Sequence, residues 1–271
     1  MLAGGRKIRR LLVKPPPANF AGPYSSWQDA VAHSDGWDSS AILEKTLDLS
    51  LKMRDGLIVF QQDAIEYDRI IYSETILAFL AMASGMNGGK LDIVDFGGSL
   101  GTNFAQNRKI LRPFIDKGKC AWNIVERQLT VDLGRKHFED ANLRFFGALD
   151  DLKAQRPELP TSFLFSGSLQ CIDEPFALLD RIINGGINLI AFDRLFVSPK
   201  AQHEIFIQRT DPNMQYRATY PTWCFSRNLF VETMTSKGFA LVEDFAIPPG
   251  AHHGPNTRYY WCGMIFARHK H

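Results

Sequence analysis

From Leu91 onward the chain alternates short apolar segments with stretches of helical periodicity, and this rhythm restricts the fold more than any other feature of the sequence. Strands are expected at Leu91 to Asp95, Cys120 to Glu126, Leu143 to Phe146, Ser162 to Ser166 and Ile187 to Asp193. Apolar runs of that length, separated by helices, belong to a parallel sheet covered on both faces. The helix before the last of them is the best marked. Asp173 stands at its N-cap, Pro175 at its first position, Leu178, Leu179 and Ile182 on one face, and Gly185 at its stop. Ser226 to Lys237 reads as a further helix, closed by Gly238. It leads into two more strands, Phe239 to Phe245 and Tyr259 to Ala267. The loop between them, rich in proline and glycine, leaves no room for a crossover helix, so this pair is expected to be antiparallel.

The first third reads differently. A basic, proline-rich tail covers 1–19, ended by Pro15, Pro16 and Pro17, and is expected to be solvated. Residues 20–90 are expected to form a helical cap. One helix runs from near Ser40 to Met53, with Ile42, Leu43, Leu47 and Leu51 at amphipathic spacing, and a second starts at Ser73 as N-cap and stops near Gly85. The aromatics between Phe20 and Trp27 require docking as a packed arm. The main domain is then 91–271.

Composition excludes several classes of function. A net charge of +2 supplies no field for nucleic acid, and no basic face is interleaved with aromatics. The longest apolar run, Ile76 to Ala83, is too short to cross a bilayer, and no hydrophobic stretch of signal-peptide length follows the basic N-terminus. Cys120, Cys171, Cys224 and Cys262 lie far apart, without metal-ligand spacing, and read as reduced thiols of a cytoplasmic protein. No histidine pair makes a zinc pattern.

The chemistry centres on Asp95-Phe96-Gly97-Gly98-Ser99-Leu100-Gly101, a glycine turn that follows the first strand of the alternating region and opens a helix. Open α/β sheets bind ligands outside such strand ends, and glycines let the backbone approach a nucleotide-like molecule. Glu126, at the end of the next strand, is a carboxylate suited to accepting ribose hydroxyl hydrogens. The dinucleotide fingerprint G-x-G-x-x-G fails in both registers: from Gly97 it meets Ser99 and Thr102, from Gly98 it meets Leu100 and Asn103. Gly88-Gly89-Lys90 is no phosphate loop either, because it runs into a strand with no Ser or Thr after the lysine.

This layout resembles the class I S-adenosylmethionine-dependent methyltransferases over roughly Leu91 to Ala267. Their acidic-x-Gly-x-Gly-x-Gly pattern is met by Asp95, Gly97 and Gly101, with Ser99 in the middle glycine's place. The resemblance implies a Rossmann-like, doubly wound, mostly parallel seven-stranded sheet with a C-terminal antiparallel hairpin, and S-adenosylmethionine as cofactor. It implies cofactor contacts from Asp95, Gly97, Gly98, Ser99, Gly101 and Glu126, from Leu149 and Asp150 beside the adenine, and from Ser166 and Gly167 near the methionine portion. The chain also looks like a bacterial methyltransferase family associated with surface-polysaccharide biosynthesis. That likeness is carried by Phe20-x-Gly22-Pro23-Tyr24-x-Ser26-Trp27, Arg54-Asp55-Gly56, the Asp95 to Gly101 turn, Phe165-Ser166-Gly167-Ser168-Leu169-Gln170, Gln208 and Tyr220-Pro221-x-Trp223.

Methyl transfer needs a base only when the acceptor is a hydroxyl or a protonated amine. Asp193 and His253 are the candidates for that role. Arg194, Gln208, Tyr220 and Trp223 follow the fifth strand and offer the donors and aromatic faces that a small-molecule or saccharide acceptor needs. A nicotinamide-dependent oxidoreductase and a non-catalytic cofactor-binding protein stay open as alternatives.

Overall fold

The computed structural model describes residues 19–36, 40–156, 158–210, 218–246 and 259–269. The chain opens with β1 (Phe20–Tyr24), α1 (Trp27–Ala32), α2 (Ser40–Arg54), the short strands β2 (Phe60–Gln62) and β3 (Ile65–Tyr67), and α3 (Glu74–Met86). The alternating region follows as β4 (Leu91–Phe96), α4 (Thr102–Ile115), β5 (Cys120–Val125), α5 (Gln128–His137), β6 (Leu143–Phe146), α6 (Leu149–Gln155), β7 (Ser162–Ser166), α7 (Pro175–Asn184) and β8 (Leu189–Ser198). The C-terminal part adds β9 (Glu204–Arg209), β10 (Thr219–Ser226), α8 (Arg227–Ser236), β11 (Phe239–Ala246) and β12 (Tyr260–Arg268).

The fold is α/β and Rossmann-like. β6, β5, β4, β7 and β8 run parallel in that spatial order, β12 adds antiparallel to the free edge of β8, and β11 pairs with β12. Both faces of this sheet are buried, and alternate residues feed opposite cores, as strand geometry requires. Phe163, Phe165 and Phe192 pack on one side with Leu179 and Phe230. Ile93, Leu164 and Ala191 pack on the other with Phe79, Phe104 and Trp122.

Two expectations need correction. Among the described residues the sheet has ten strands rather than seven, because β10 joins β8 in parallel and β9 and β1 extend it from there with antiparallel pairing. The signal is weak in the sequence, since Gly22, Pro23 and Pro221 interrupt these segments and proline normally argues against a strand interior. Residues 20–90 are also not one helical cap. β1 belongs to the main sheet, pairing Phe20 with Gln208, and α3 buries Ile76, Phe79, Leu80 and Ala83 in the same core as Ile93 and Ile265. Among the described residues of this segment, only α2 and the β2–β3 hairpin lie outside the sheet and its covering helices. A smaller correction concerns α7, whose N-cap is Glu174, without a side-chain cap bond, rather than Asp173.

β8 positions the site. β7 pairs with it from Leu189 to Asp193 and then stops; β10 next meets it at Val197 and Ser198. Because β12 occupies the other edge throughout, β7 and β10 use the same edge in succession, and the sheet forks between them. Arg194 sits at the fork with φ of 52°, a left-handed backbone that a side-chain-bearing residue seldom adopts.

Candidate functional site

The loops after β4 and β7 meet over the sheet at the point where strand order reverses. Gly97, at φ 72°, lies so near the second loop that a Cβ there would stand 2.5 Å from the Cβ of Ser168. Ser168 Oγ in turn donates to the Phe96 carbonyl. Ser99, in the place of the middle glycine, has φ of 53°. The turn therefore keeps the glycine-like backbone with a serine in it.

Asp95 holds this turn from beneath. It is 0% exposed, and a Cβ on Gly98 would come within 2.7 Å of its carboxyl carbon. Asn103 Nδ2 donates to it at 3.2 Å and Trp122 Nε1 at 3.1 Å. Burial pushes its pKa up to about 6, against the lowering effect of those two bonds. Asp95 is thus a support of the turn and does not face the ligand space, contrary to the sequence reading. Gly101 is displaced from that role too: it is the N-cap of α4, packed on Leu143.

Above the turn lies a cavity of about 610 Å³, a size suited to a nucleoside-bearing ligand. Gly97, Gly98, Ser99 and Glu126 line one part of it, with Thr102, Asn103, Arg127 and Thr130. Glu126 accepts a hydrogen bond from the Arg127 backbone N–H at 2.8 Å. Burial raises its pKa, and the Arg127 and Ser99 contacts oppose that rise. The glycine turn and the acidic strand end therefore face the same cavity.

Ser166, Gly167 and Arg194 line the middle of the cavity. Behind them Asp193 is 3% exposed, with both oxygens engaged: Ser73 Oγ donates to one at 2.7 Å and Ser166 Oγ to the other at 2.6 Å. Arg194 Nε stands 3.6 Å away. An acid so occupied, and absent from the cavity wall, is not placed to take a proton from a ligand, so the reading of Asp193 as a base is corrected to one of support. His253 lies outside the described residues.

Gln208, Tyr220, Asn19 and Trp261 form the far end. Trp223 does not join them. Its indole N–H donates to the Ile172 carbonyl at 3.0 Å and its ring stacks on Trp27, which makes it packing between β10 and α1. Leu149 is buried in the core, while Asp150 is exposed and paired with Arg181 at 3.3 Å. Neither lines the cavity.

No protein-family model and no functionally curated protein matches the chain. Solved structures of similar fold include the 1,6-didemethyltoxoflavin-N1-methyltransferase of Burkholderia thailandensis, with bound 1,6-didemethyltoxoflavin and S-adenosylhomocysteine. It is 13% identical, with a TM-score of 0.47 over 92% of this chain and 93% of that one. The N-terminal domain of EvdMO1, in the presence of S-adenosylhomocysteine and D-fucose, is 13% identical with a TM-score of 0.49, covering 84% and 97% of the two chains. The CcbJ methyltransferase of Streptomyces caelestis is also 13% identical, with a TM-score of 0.46 over 72% and 89%. Likeness at this level concerns overall fold, and the ligands named belong to those proteins.

The sequence reading missed the opposite wall of the cavity. Ile42, Leu43 and Thr46 of α2, with Gln62, Asp63, Ile65 and Tyr67 of the hairpin, close it from above. A turn signal such as Asn-Gly or Asp-Gly would have betrayed the hairpin. Here the turn is Asp63-Ala64, with φ of 52° and 59°, and Ala64 is an unusual residue at such a position. Among the described residues, no group of His, Cys, Asp and Glu is placed to hold a metal ion. No helix among them is long and apolar enough to cross a membrane.

Proposed function

We propose that the cavity binds S-adenosylmethionine and that the protein transfers its methyl group to a small-molecule or saccharide acceptor. One observation carries the reading: the Gly97 to Ser99 turn and Glu126 line a single cavity. A close backbone approach beside a carboxylate with remaining lone pairs suits an adenosine, whose ribose carries two donors and no negative charge. A dinucleotide fits less well. Its pyrophosphate needs the second glycine of the fingerprint, and Ser99 stands there with a side chain.

The cofactor, when bound, supplies a methyl group already activated by a positively charged sulfur. The chain's contribution is to hold, align and dry the reacting groups. Glu126 takes the ribose, Ser166 and Gly167 border the reactive end, and α2 with the hairpin excludes water. Gln208, Tyr220, Asn19 and Trp261 offer amides and aromatic faces to a hydroxylated ring, which favours a saccharide among the acceptors. A role in surface-polysaccharide biosynthesis, within the cytoplasm, is the physiological setting that this acceptor class suggests.

Calorimetry with S-adenosylhomocysteine and with NAD separates the two cofactor readings. Saturable heat is expected with the first alone, and heat with NAD alone overturns the proposal. Labelled S-adenosylmethionine incubated with nucleotide sugars, followed by mass spectrometry, then tests for a methylated product; binding without product across acceptor classes points to a non-catalytic role.

A further inference from the structure

We propose that the β2–β3 hairpin is a gate over the cavity, latched to the floor by the Asp63–Arg194 ion pair. The kinetic part of this inference rests on the cofactor reading above; the structural part does not.

The hairpin is a structural unit of its own. Its two strands pair only with each other, in a register from Phe60 with Tyr67 to Gln62 with Ile65. Both residues of its tight turn are left-handed, the geometry of a stiff two-residue hairpin turn whose twist matches its strands. Its ties to the body are side-chain contacts: Phe60, Gln61 and Ala64 are buried, and Gln61 Nε2 donates to Ser50 Oγ at 3.0 Å. Gln61 Nε2 donates to Thr102 Oγ1 at 3.1 Å, and the tip is held by Arg194. Arg194 Nη1 donates to Asp63 Oδ2, and the Gln62 carboxamide, once turned so that its oxygen faces the guanidinium, accepts from Nη1 at 3.1 Å and Nη2 at 3.3 Å.

The two partners of the latch stand in unequal surroundings, which makes it reversible. Asp63 is 43% exposed, whereas the Arg194 side chain is 14% exposed. Removing the partner of a buried cation is costly when the cation is left alone. Here it is not left alone, because Asp193 stays 3.6 Å from Nε and the Ser166 carbonyl accepts from Nη2 at 3.3 Å. When the tip lifts, Asp63 passes to water and Arg194 keeps its counter-ion. The same guanidinium lies 3.2 Å from where a Cβ on Gly167 would be, on the cavity floor, so the latch spans roof and floor at the centre of the ligand space. Opening this contact widens the way past the hairpin tip into that space.

The test uses the full chain and Asp63→Asn, since asparagine tolerates the left-handed backbone at this position and removes only the charge. In ligand-free protein, hydrogen exchange of amides 60–67 is expected to rise about fivefold in the variant, the upper range for a partly exposed ion pair. With S-adenosylhomocysteine as probe, association and dissociation rates are expected to rise together by a similar factor of about five, leaving Kd nearly unchanged. Salt is expected to speed exchange in the wild type and not in the variant. Unchanged hairpin exchange overturns the latch. A slower association, or a Kd weakened through dissociation alone, overturns it as well, because Asp63 would then be a ligand contact. If the wild type binds no S-adenosylhomocysteine, the cofactor reading fails, and the ligand-free exchange still decides the latch.

Discussion

Gly97 and Ser168 pack so tightly that a methyl group on residue 97 would stand 2.5 Å from the Ser168 Cβ, with the backbone of residue 97 at φ 72°. Steric overlap and a left-handed backbone act together there. Gly97→Ala is therefore expected to cost about 2–4 kcal/mol. Chemical denaturation measures this directly, and a variant as stable as the wild type would show that the two loops are not in contact.

Ser99 presents the reverse case. It pays the left-handed penalty at φ 53° without the glycine that this turn usually carries. Ser99→Gly relieves strain of about 1 kcal/mol and adds a comparable loss of chain entropy, so stability is expected to stay within about 1 kcal/mol of the wild type. A large destabilisation would mean that the serine hydroxyl itself holds the turn.

Glu126→Gln keeps the shape of the side chain and removes its charge. Hydrogen bonds to a charged acceptor contribute about 1.5–3 kcal/mol each, so affinity for S-adenosylhomocysteine is expected to fall roughly ten- to hundredfold. Stability should hold or rise, since burial disfavours the ionised form of this group. Equal affinities for the two proteins in calorimetry would detach Glu126 from the ligand.

Asp95 imposes a pH dependence of known sign. Its pKa is raised from 3.8 to about 6 in the folded state, so between those values the native protein retains a proton that the unfolded chain has lost. Stability is then full below about pH 4, falls as pH rises towards 6, and levels off above, by on the order of 2–3 kcal/mol. Asp95→Asn is expected to abolish this component. The difference between the two proteins' unfolding free energies, followed from pH 4 to pH 7, should vary with that slope; a constant difference would contradict it.

Trp223→Phe distinguishes packing from ligand contact. Loss of the indole bond to the Ile172 carbonyl is expected to cost about 1 kcal/mol of stability, with S-adenosylhomocysteine affinity unchanged. Weakened binding at unaltered stability would return Trp223 to the site.

Much of the scaffold was legible because its signals are local. Ser162 to Ser166 and Leu143 to Phe146 are apolar over strand length and fold as β7 and β6 with those bounds. Ser73 and Ser226 cap α3 and α8, each accepting an N–H three residues on. β8 was cut short at Asp193 because Asp193 and Arg194 interrupt its apolar run, yet the strand continues to Ser198 through the fork. Pairing with β12 along the whole length supplies the order that the sequence pattern does not display.

The spacing of apolar residues and the glycine turn were enough to specify a parallel α/β core with a cavity outside the ends of β4 and β5, since those choices depend on period and on backbone freedom. Which polar side chains face that site was decided only in three dimensions. Asp95, Asp193 and Asp63 are the same residue type, yet the first lies beneath the turn, the second is consumed by two serines, and the third reaches the cavity from a hairpin far away in the chain. A carboxylate's role is set by the donors that reach it and the water left around it, and both are products of packing between distant segments.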